Sequence, residues 1–185
     1  ASRLENLFLT EGFRVDLIRA ILEAWKQSRD IVDARMRLGA LTAISKDEGF
    51  EPLTTTFKRV MNIITGGTPQ VVQDHLLCED AERALYAVYK ERERKIQTLL
   101  EDKKYVDALR EIASLRPAVD KFFDDVLVMA VDADLRNNRL SLLASIGGLF
   151  AQISQKTGIP RAAVRRGWVH AASAISIPAL SRRRP

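Results

Sequence analysis

Across the stretch from Glu79 to Asp102 the apolar residues Ala81, Ala84, Leu85, Val88, Tyr89, Ile96, Leu99 and Leu100 recur at intervals of three and four, with charges between them. That 3.6-residue period belongs to an amphipathic helix and conflicts with the two-residue alternation of a half-buried strand. A helix this long buries its stripe only against other elements, and no hairpin dipeptide or sustained alternation marks a sheet for it to pack on. On its far face Glu79 with Arg83, and Glu91 with Lys95, stand four apart as expected ion pairs.

The same period governs the rest of the chain. A short helix around Arg3 to Thr10 stops at Gly12, and Leu17, Ile18, Ile21 and Leu22 stripe a second helix over about Arg14 to Lys26. Ser28 or Asp30 can cap a third, carrying Ile31, Ala34, Leu38 and Leu41. Pro52 suits the first turn of a helix with Leu53, Phe57, Val60 and Ile64, which ends before Gly66-Gly67-Thr68-Pro69. Tyr105, Ala108, Leu109, Ile112 and Leu115 form the next face. Pro117 then starts or kinks a helix with Val119, Phe122, Phe123 and Val126. After an apolar stretch over Val126 to Val131, Asp132 can cap a last helix bearing Leu135, Leu142, Leu143, Ile146, Leu149, Phe150 and Ile153. The expected fold is an all-α bundle of six to eight helices. The trio Val-Asp-Ala recurs at 32, 106 and 131 without a common period, so no solenoid is expected.

Charge divides the chain in two. The net value of +5 invites a nucleic-acid reading, but residues 154–185 hold seven basic side chains (Lys156, Arg161, Arg165, Arg166, Arg182, Arg183 and Arg184) and no acidic one. Removing those seven from 29 leaves 22 basic against 24 acidic residues, so residues 1–153 form a slightly acidic body. The expected organisation is a helical domain over 1–153 followed by a basic extension over 154–185. That extension is a natural RNA-binding addition, an artificial or frame-shifted tail, or a short helix packing Trp168 and Ile175. No apolar run approaches the roughly 18–20 residues needed to cross a bilayer, and no secretory signal pattern opens the chain. One cysteine, Cys78, excludes an intramolecular disulfide and suits a reducing cytosol.

Motifs for chemistry are sparse. His75 and Cys78 lie three apart but lack the second Cys or His pair of a zinc site. Asp124 and Asp125 are adjacent, so on a helix they diverge by roughly 100° and do not face one substrate. Asp132-Ala-Asp134 opens like a calcium loop but puts Asn137 where glycine is wanted and Leu143 where glutamate is wanted. Thr65-Gly66-Gly67-Thr68 lacks the Gly-Lys-Ser/Thr of a phosphate loop. No active site and no bound cofactor is expected in this chain.

Polar clusters beside the apolar stripes are more informative. In Phe57-Lys58-Arg59-Val60-Met61-Asn62-Ile63 the buried stripe takes Phe57 and Val60, leaving Lys58, Arg59 and Asn62 to point elsewhere. Two cations and an amide on one turn can hold a phosphate and a base edge together, although a solvated helix face explains the same residues. Arg136, Asn137, Asn138 and Arg139 form a second cluster. Arg139 falls on the apolar stripe and is expected to pair with Asp124 or Asp125, whereas Arg136 and Asn138 are expected to be freer to meet a ligand.

Three ordered stretches carry a family resemblance: Asp30-Ile-Val-Asp-Ala-Arg35; Phe50-Glu-Pro-Leu53 with Phe57-Lys-Arg-Val60 and Asn62-Ile63; and Leu115-Arg-Pro-Ala-Val-Asp-Lys-Phe-Phe-Asp-Asp-Val126 with Leu135-Arg-Asn-Asn-Arg-Leu140. Together, over about residues 3–153, they resemble the C-terminal anticodon-binding domain of bacterial glycyl-tRNA synthetase beta subunits. That domain is of the type named for Asp-Ala-Leu-Arg, present as Asp107 to Arg110. The resemblance implies a cytoplasmic tRNA-binding module, with glycine tRNA as one partner and the synthetase alpha subunit as the other. ATP and Mg would serve the intact ligase rather than this piece. It further implies Lys58, Arg59 and Asn62 as main RNA contacts, with Arg35, Arg136 and Asn138 as secondary ones. Glycine anticodons share two cytosines, whose exocyclic amines demand acceptors, so acidic residues near a basic rim fit such a task. A protein-interaction domain and the equivalent domain of arginyl-tRNA synthetase are the alternatives. The start at Ala1-Ser2, without methionine, is read as a piece of a longer chain.

Overall fold

A computed structural model describes residues 3–46, 50–64 and 71–157. Among them the chain forms α1 (Arg3–Thr10), α2 (Val15–Ser28), α3 (Ile31–Ile44), α4 (Phe50–Ile63), α5 (Asp80–Glu101), α6 (Tyr105–Ala113), α7 (Arg116–Asp125) and α8 (Ala133–Thr157). One 3-10 turn, Asp74–Leu76, joins them, and no strand occurs among the described residues. The all-α bundle expected from periodicity is therefore the fold. The Gly66-Gly67-Thr68-Pro69 stop, Trp168 and Ile175 lie outside the described residues.

Capping chemistry sets the helix starts. The Asp30 carboxylate accepts from the Asp33 N–H at 3.0 Å and opens α3. At α5, Glu79 and Glu82 form a reciprocal capping box, in which the Glu79 N–H donates to Glu82 Oε2 at 2.8 Å. Pro117 occupies the first turn of α7, where its missing N–H has no consequence. Asp132 Oδ1 accepts from the N–H groups of Asp134 and Leu135 at 2.8 and 3.0 Å, so it caps α8 as its sequence position predicts.

Helix α5 packs on α6, α7 and α8, while α8 in turn contacts α3, α4, α5, α6 and the 3-10 turn. The core formed between them is continuous, and Leu85, Ile96, Leu109, Ile112, Phe122 and Ile146 are fully buried in it. Phe57 of α4 stacks on Phe150 of α8 with ring centroids 4.1 Å apart. Where these two helices cross, Gly147 lets Ile64 approach so closely that a Cβ would lie 2.8 Å from its Cδ1. In α6, Ala108 and Leu109 are buried, whereas Asp107 and Arg110 pair on the surface at 3.5 Å. The Asp-Ala-Leu-Arg tetrad is therefore a packing motif in this chain.

Several local expectations are corrected. Ala84 is exposed rather than part of the α5 stripe, and the charged Glu82 is 0% exposed. Arg83 bonds Asp80 and the carbonyls of Leu77 and Cys78 instead of Glu79. Lys95 pairs with Glu111 of α6 at 2.5 Å rather than with Glu91, because a partly buried carboxylate on the facing helix also collects Arg92. The apolar stretch after α7 alternates: Val126, Val128 and Ala130 are buried, while Leu127, Met129 and Val131 face outward. Helix α8 is described as far as Thr157, with Ser154 and Thr157 buried. No helix among the described residues is long and apolar enough to cross a membrane.

Candidate nucleic-acid interface

Helix α4 turns Phe57 and Val60 inward and leaves Lys58, Arg59 and Asn62 exposed. Positions 58 and 62 are four apart and 59 and 62 three apart, so all three side chains share one helix face. Arg59 lies over an aromatic ring: its guanidinium carbon is 4.1 Å from the centroid of the Phe123 ring on α7. Such a cation–π contact orients the fork and leaves the opposite side of the guanidinium plane open to another planar group. Lys58 supplies an adjacent compact charge with no ion-pair partner among the described residues. The Thr56 hydroxyl donates to Asp120 at 2.8 Å and Arg116 bonds the same carboxylate at 3.1 Å, fixing α4 to α7 just below this face.

The remaining sequence-predicted contacts do not join that face. Arg35 is exposed on α3 and pairs with Glu11 at 3.1 Å, and α3 packs mainly on α2 and α6 rather than α4. Arg136 is half-buried and donates to the Ala130 carbonyl at 3.0 Å. Asn138 is not free to meet a ligand: it is 4% exposed, and its amide both accepts from the Gln73 N–H at 2.7 Å and donates to the Gln73 carbonyl at 3.1 Å. Position 138 faces inward because the segment before the 3-10 turn packs on that side of α8, and only the amide can satisfy the isolated peptide there.

Arg139 is buried, as its place on the apolar stripe predicts, but its partner is Glu82 of α5 rather than Asp124 or Asp125. Its Nε donates to Glu82 Oε1 at 2.5 Å and its Nη1 donates to the Leu127 carbonyl at 2.9 Å. One guanidinium thus joins the start of α5, the second turn of α8 and the post-α7 segment. Asp125 is engaged on the surface by Lys121 at 2.7 Å, which raises the Lys121 pKa through that hydrogen bond. A second polar latch ties α3 to α6. The Tyr105 hydroxyl donates to buried Asp33 at 2.6 Å, Arg37 pairs with the same carboxylate at 2.5 Å, and Lys103 reaches Asp30 at 3.1 Å. Burial, then the bond to Asp33, pushes the Tyr105 phenol up to about 12.

The described residues hold no cluster of three His, Cys, Asp or Glu side chains able to bind a metal. Cys78 is exposed and His75 sits in the 3-10 turn, so they share no helix face. Sequence reasoning missed a polar cavity of about 200 Å³ between the 71–76 segment and the first turns of α8, lined in part by His75, Asp134 and Asn137. Asp134 and Asn137 fall three apart, but nothing in the sequence reveals that residues 71–76 close over them.

The DALR anticodon binding domain family matches residues 53–162. Over 143 residues, 77% of the chain, it is 39% identical to the glycine–tRNA ligase beta subunit of Trichlorobacter lovleyi. It is 42% identical over 145 residues to that of Clostridioides difficile and 43% identical over 148 residues to that of Anaeromyxobacter dehalogenans, 78% of the chain in both. The chain spans only about a fifth of the length of these curated relatives, 20–21% of each.

Proposed function

Because the chain belongs to the DALR anticodon binding domain family, we propose that it is the anticodon-arm-binding part of a glycine–tRNA ligase beta subunit, with the α4 face as its RNA contact. The observation that carries this reading is the exposed Arg59 guanidinium over the Phe123 ring, its carbon 4.1 Å from the centroid, with Lys58 beside it. An oriented guanidinium plane is a platform on which an unstacked anticodon base can lie, and the lysine can neutralise a flanking phosphate. Asn62 stands exposed on the same face. Arg35 remains a secondary phosphate contact on α3, while Arg136 and Asn138 serve the fold.

The matching family is an anticodon-binding one, so the aminoacylation of the intact ligase, with its ATP and Mg, is assigned to the alpha subunit and the rest of the beta chain. Glycine rather than arginine is favoured by the relatives at 39–43% identity, all named as glycine ligase beta subunits. A cytoplasmic location follows from that role. One observation favours a protein contact elsewhere on the domain: Leu127, Met129 and Val131 project outward in a row, Val131 at 98% exposure.

Titration of the intact protein with glycine tRNA across a salt series tests the proposal. Replacing Lys58 and Arg59 by alanine is expected to weaken binding and to reduce the slope of log K against log salt by about 0.7–0.9 for each phosphate no longer neutralised. An unchanged slope and affinity in a folded variant would point to the protein-contact reading.

A further inference from the structure

Helix α3 carries two apolar stripes, and the described fold uses only one. Ala34, Leu38, Leu41 and Ile44 are buried, on the side that meets α2, α6 and α8. On the opposite side Val32, Met36, Gly39 and Ala43 follow one another at spacings of four, three and four, the seam of a helix that packs lengthwise on another. Val32 is 71% exposed and Met36 39%, Ala43 is exposed, and a Cβ at Gly39 would meet nothing within 4 Å.

A surface helix ordinarily turns its charges outward, and one that is apolar all round is enclosed on all sides. Helix α3 has no charge left for the middle of its outer side. Asp33 and Arg37 are drawn into the latch with Tyr105, and Arg35 pairs with Glu11 at the edge of the seam. Glycine inside a helix is unfavourable, and no described neighbour requires Gly39; the close approach of a second helix backbone does.

The position of the seam indicates its occupant. The family match begins at residue 53, so α1–α3 stand ahead of it, and the chain spans only 20–21% of the length of its relatives. The 3.1 Å contact between Glu11 and Arg35 sets the end of α1 against the seam. Helix α1 has eight residues and is about 12 Å long, so a segment leading into Arg3 starts about one helix diameter away.

We propose that the outer seam of α3 seats an apolar helix from the part of the intact beta subunit that precedes this chain, so that α1–α3 couple the anticodon-binding helices to the body of the subunit. The proposal rests on the reading of the chain as one part of such a subunit. The seated helix presents bulky apolar side chains to the shallow Gly39–Ala43 half of the seam and smaller ones to Val32 and Met36, and its contact side carries no charge.

The test is the rate at which a thiol reagent modifies Val32→Cys and Met36→Cys, each made with Cys78→Ser because Cys78 is exposed. Rates are compared for residues 1–185, the full-length beta subunit and its complex with the alpha subunit. Residues 1–185 are expected to react as an open site at every protein concentration, and the full-length beta subunit at least about tenfold more slowly. Gly39→Glu is expected to leave the melting temperature of residues 1–185 unchanged or higher, and to restore fast modification in the full-length subunit. Equal rates in the short and full-length chains overturn the proposal. Slow reaction already present in residues 1–185 does so too: if lost on dilution it assigns the seam to a second copy, and if it persists, to another part of this chain. Protection that needs the alpha subunit assigns the seam to that subunit and overturns the proposal as well. Glycine tRNA affinity of the same complex separates this result from the RNA reading. Binding that is weakened by the Lys58/Arg59 double alanine variant, with equal labelling rates, overturns the seam alone. Protection of the seam in a complex whose tRNA affinity the double variant leaves unchanged supports the seam and overturns the α4 contact.

Discussion

Arg139 shows what one side chain can decide in this fold. Its charge is removed from water and compensated only by Glu82 and the Leu127 carbonyl. Replacing it by alanine leaves the Glu82 carboxylate buried beside an emptied space, and a loss of about 3–5 kcal/mol in urea unfolding is expected. Arg139→Met with Glu82→Gln, which removes both charges, is expected to recover much of that. The burial of Arg139 was legible from its place on the apolar stripe; its partner was not. Glu82 lies 57 residues away, and the capping-box spacing from Glu79 explains the Glu82 side chain without requiring it to be buried. Tyr105 gives a second prediction at this scale. Its folded pKa is raised to about 12 from the ordinary 10, so the stability it contributes is complete below pH 10 and lost as pH rises through 12. A phenolate absorbance titration of wild type against Tyr105→Phe is expected to show one tyrosine ionising only near pH 12.

Between elements, charge and close approach do separate work. Burial pushes the Glu111 carboxyl up, but hydrogen bonds from Lys95 and Arg92 on α5 outweigh it and hold the pKa below the usual 4.5. A lowered pKa makes this α5–α6 staple stabilising above about pH 4.5 and lost as pH falls through the folded value. Glu111→Gln is therefore expected to be less stable than wild type at pH 7, with the gap closing toward pH 3 in urea melts. The two adjacent glycines of α8 separate propensity from packing. A Cβ at Gly148 meets nothing within 4 Å, so Gly148→Ala is expected to stabilise by about 0.5–1 kcal/mol. At Gly147 the same methyl runs into Ile64, and thermal melts are expected to place Gly147→Ala below Gly148→Ala. Helix existence and type were legible because each stripe repeats through several turns. Which exposed charges reach the next helix was not, since periodicity fixes a side chain's direction and says nothing of what stands opposite. The α4 face was legible for that reason, and the α8 cavity was hidden because its two walls come from segments more than 55 residues apart in sequence.

For the molecule as a whole, the positive balance and the proposed RNA surface are distinct. The surplus lies in residues 154–185, while the α4 face belongs to a body of 22 basic and 24 acidic residues. Removing residues 158–185 takes away six arginines and is expected to lower overall tRNA affinity at low salt. The further weakening caused by Lys58→Ala with Arg59→Ala is expected to persist in the shortened chain, a comparison that binding at two salt concentrations resolves. Helix α8 has a further consequence, in time rather than space. It is the last described element, yet it contacts α3, α4, α5 and α6 and buries Leu142, Leu143, Ile146, Phe150 and Ile153 among them. Emerging from a ribosome at about 5–20 residues per second, the chain between the end of α7 and the end of α8 takes roughly two to six seconds to appear. Throughout that interval the inward faces of the earlier helices have no lid. Apolar faces left open in this way are the kind of surface that chaperones cover, and here they stay open until α8 arrives.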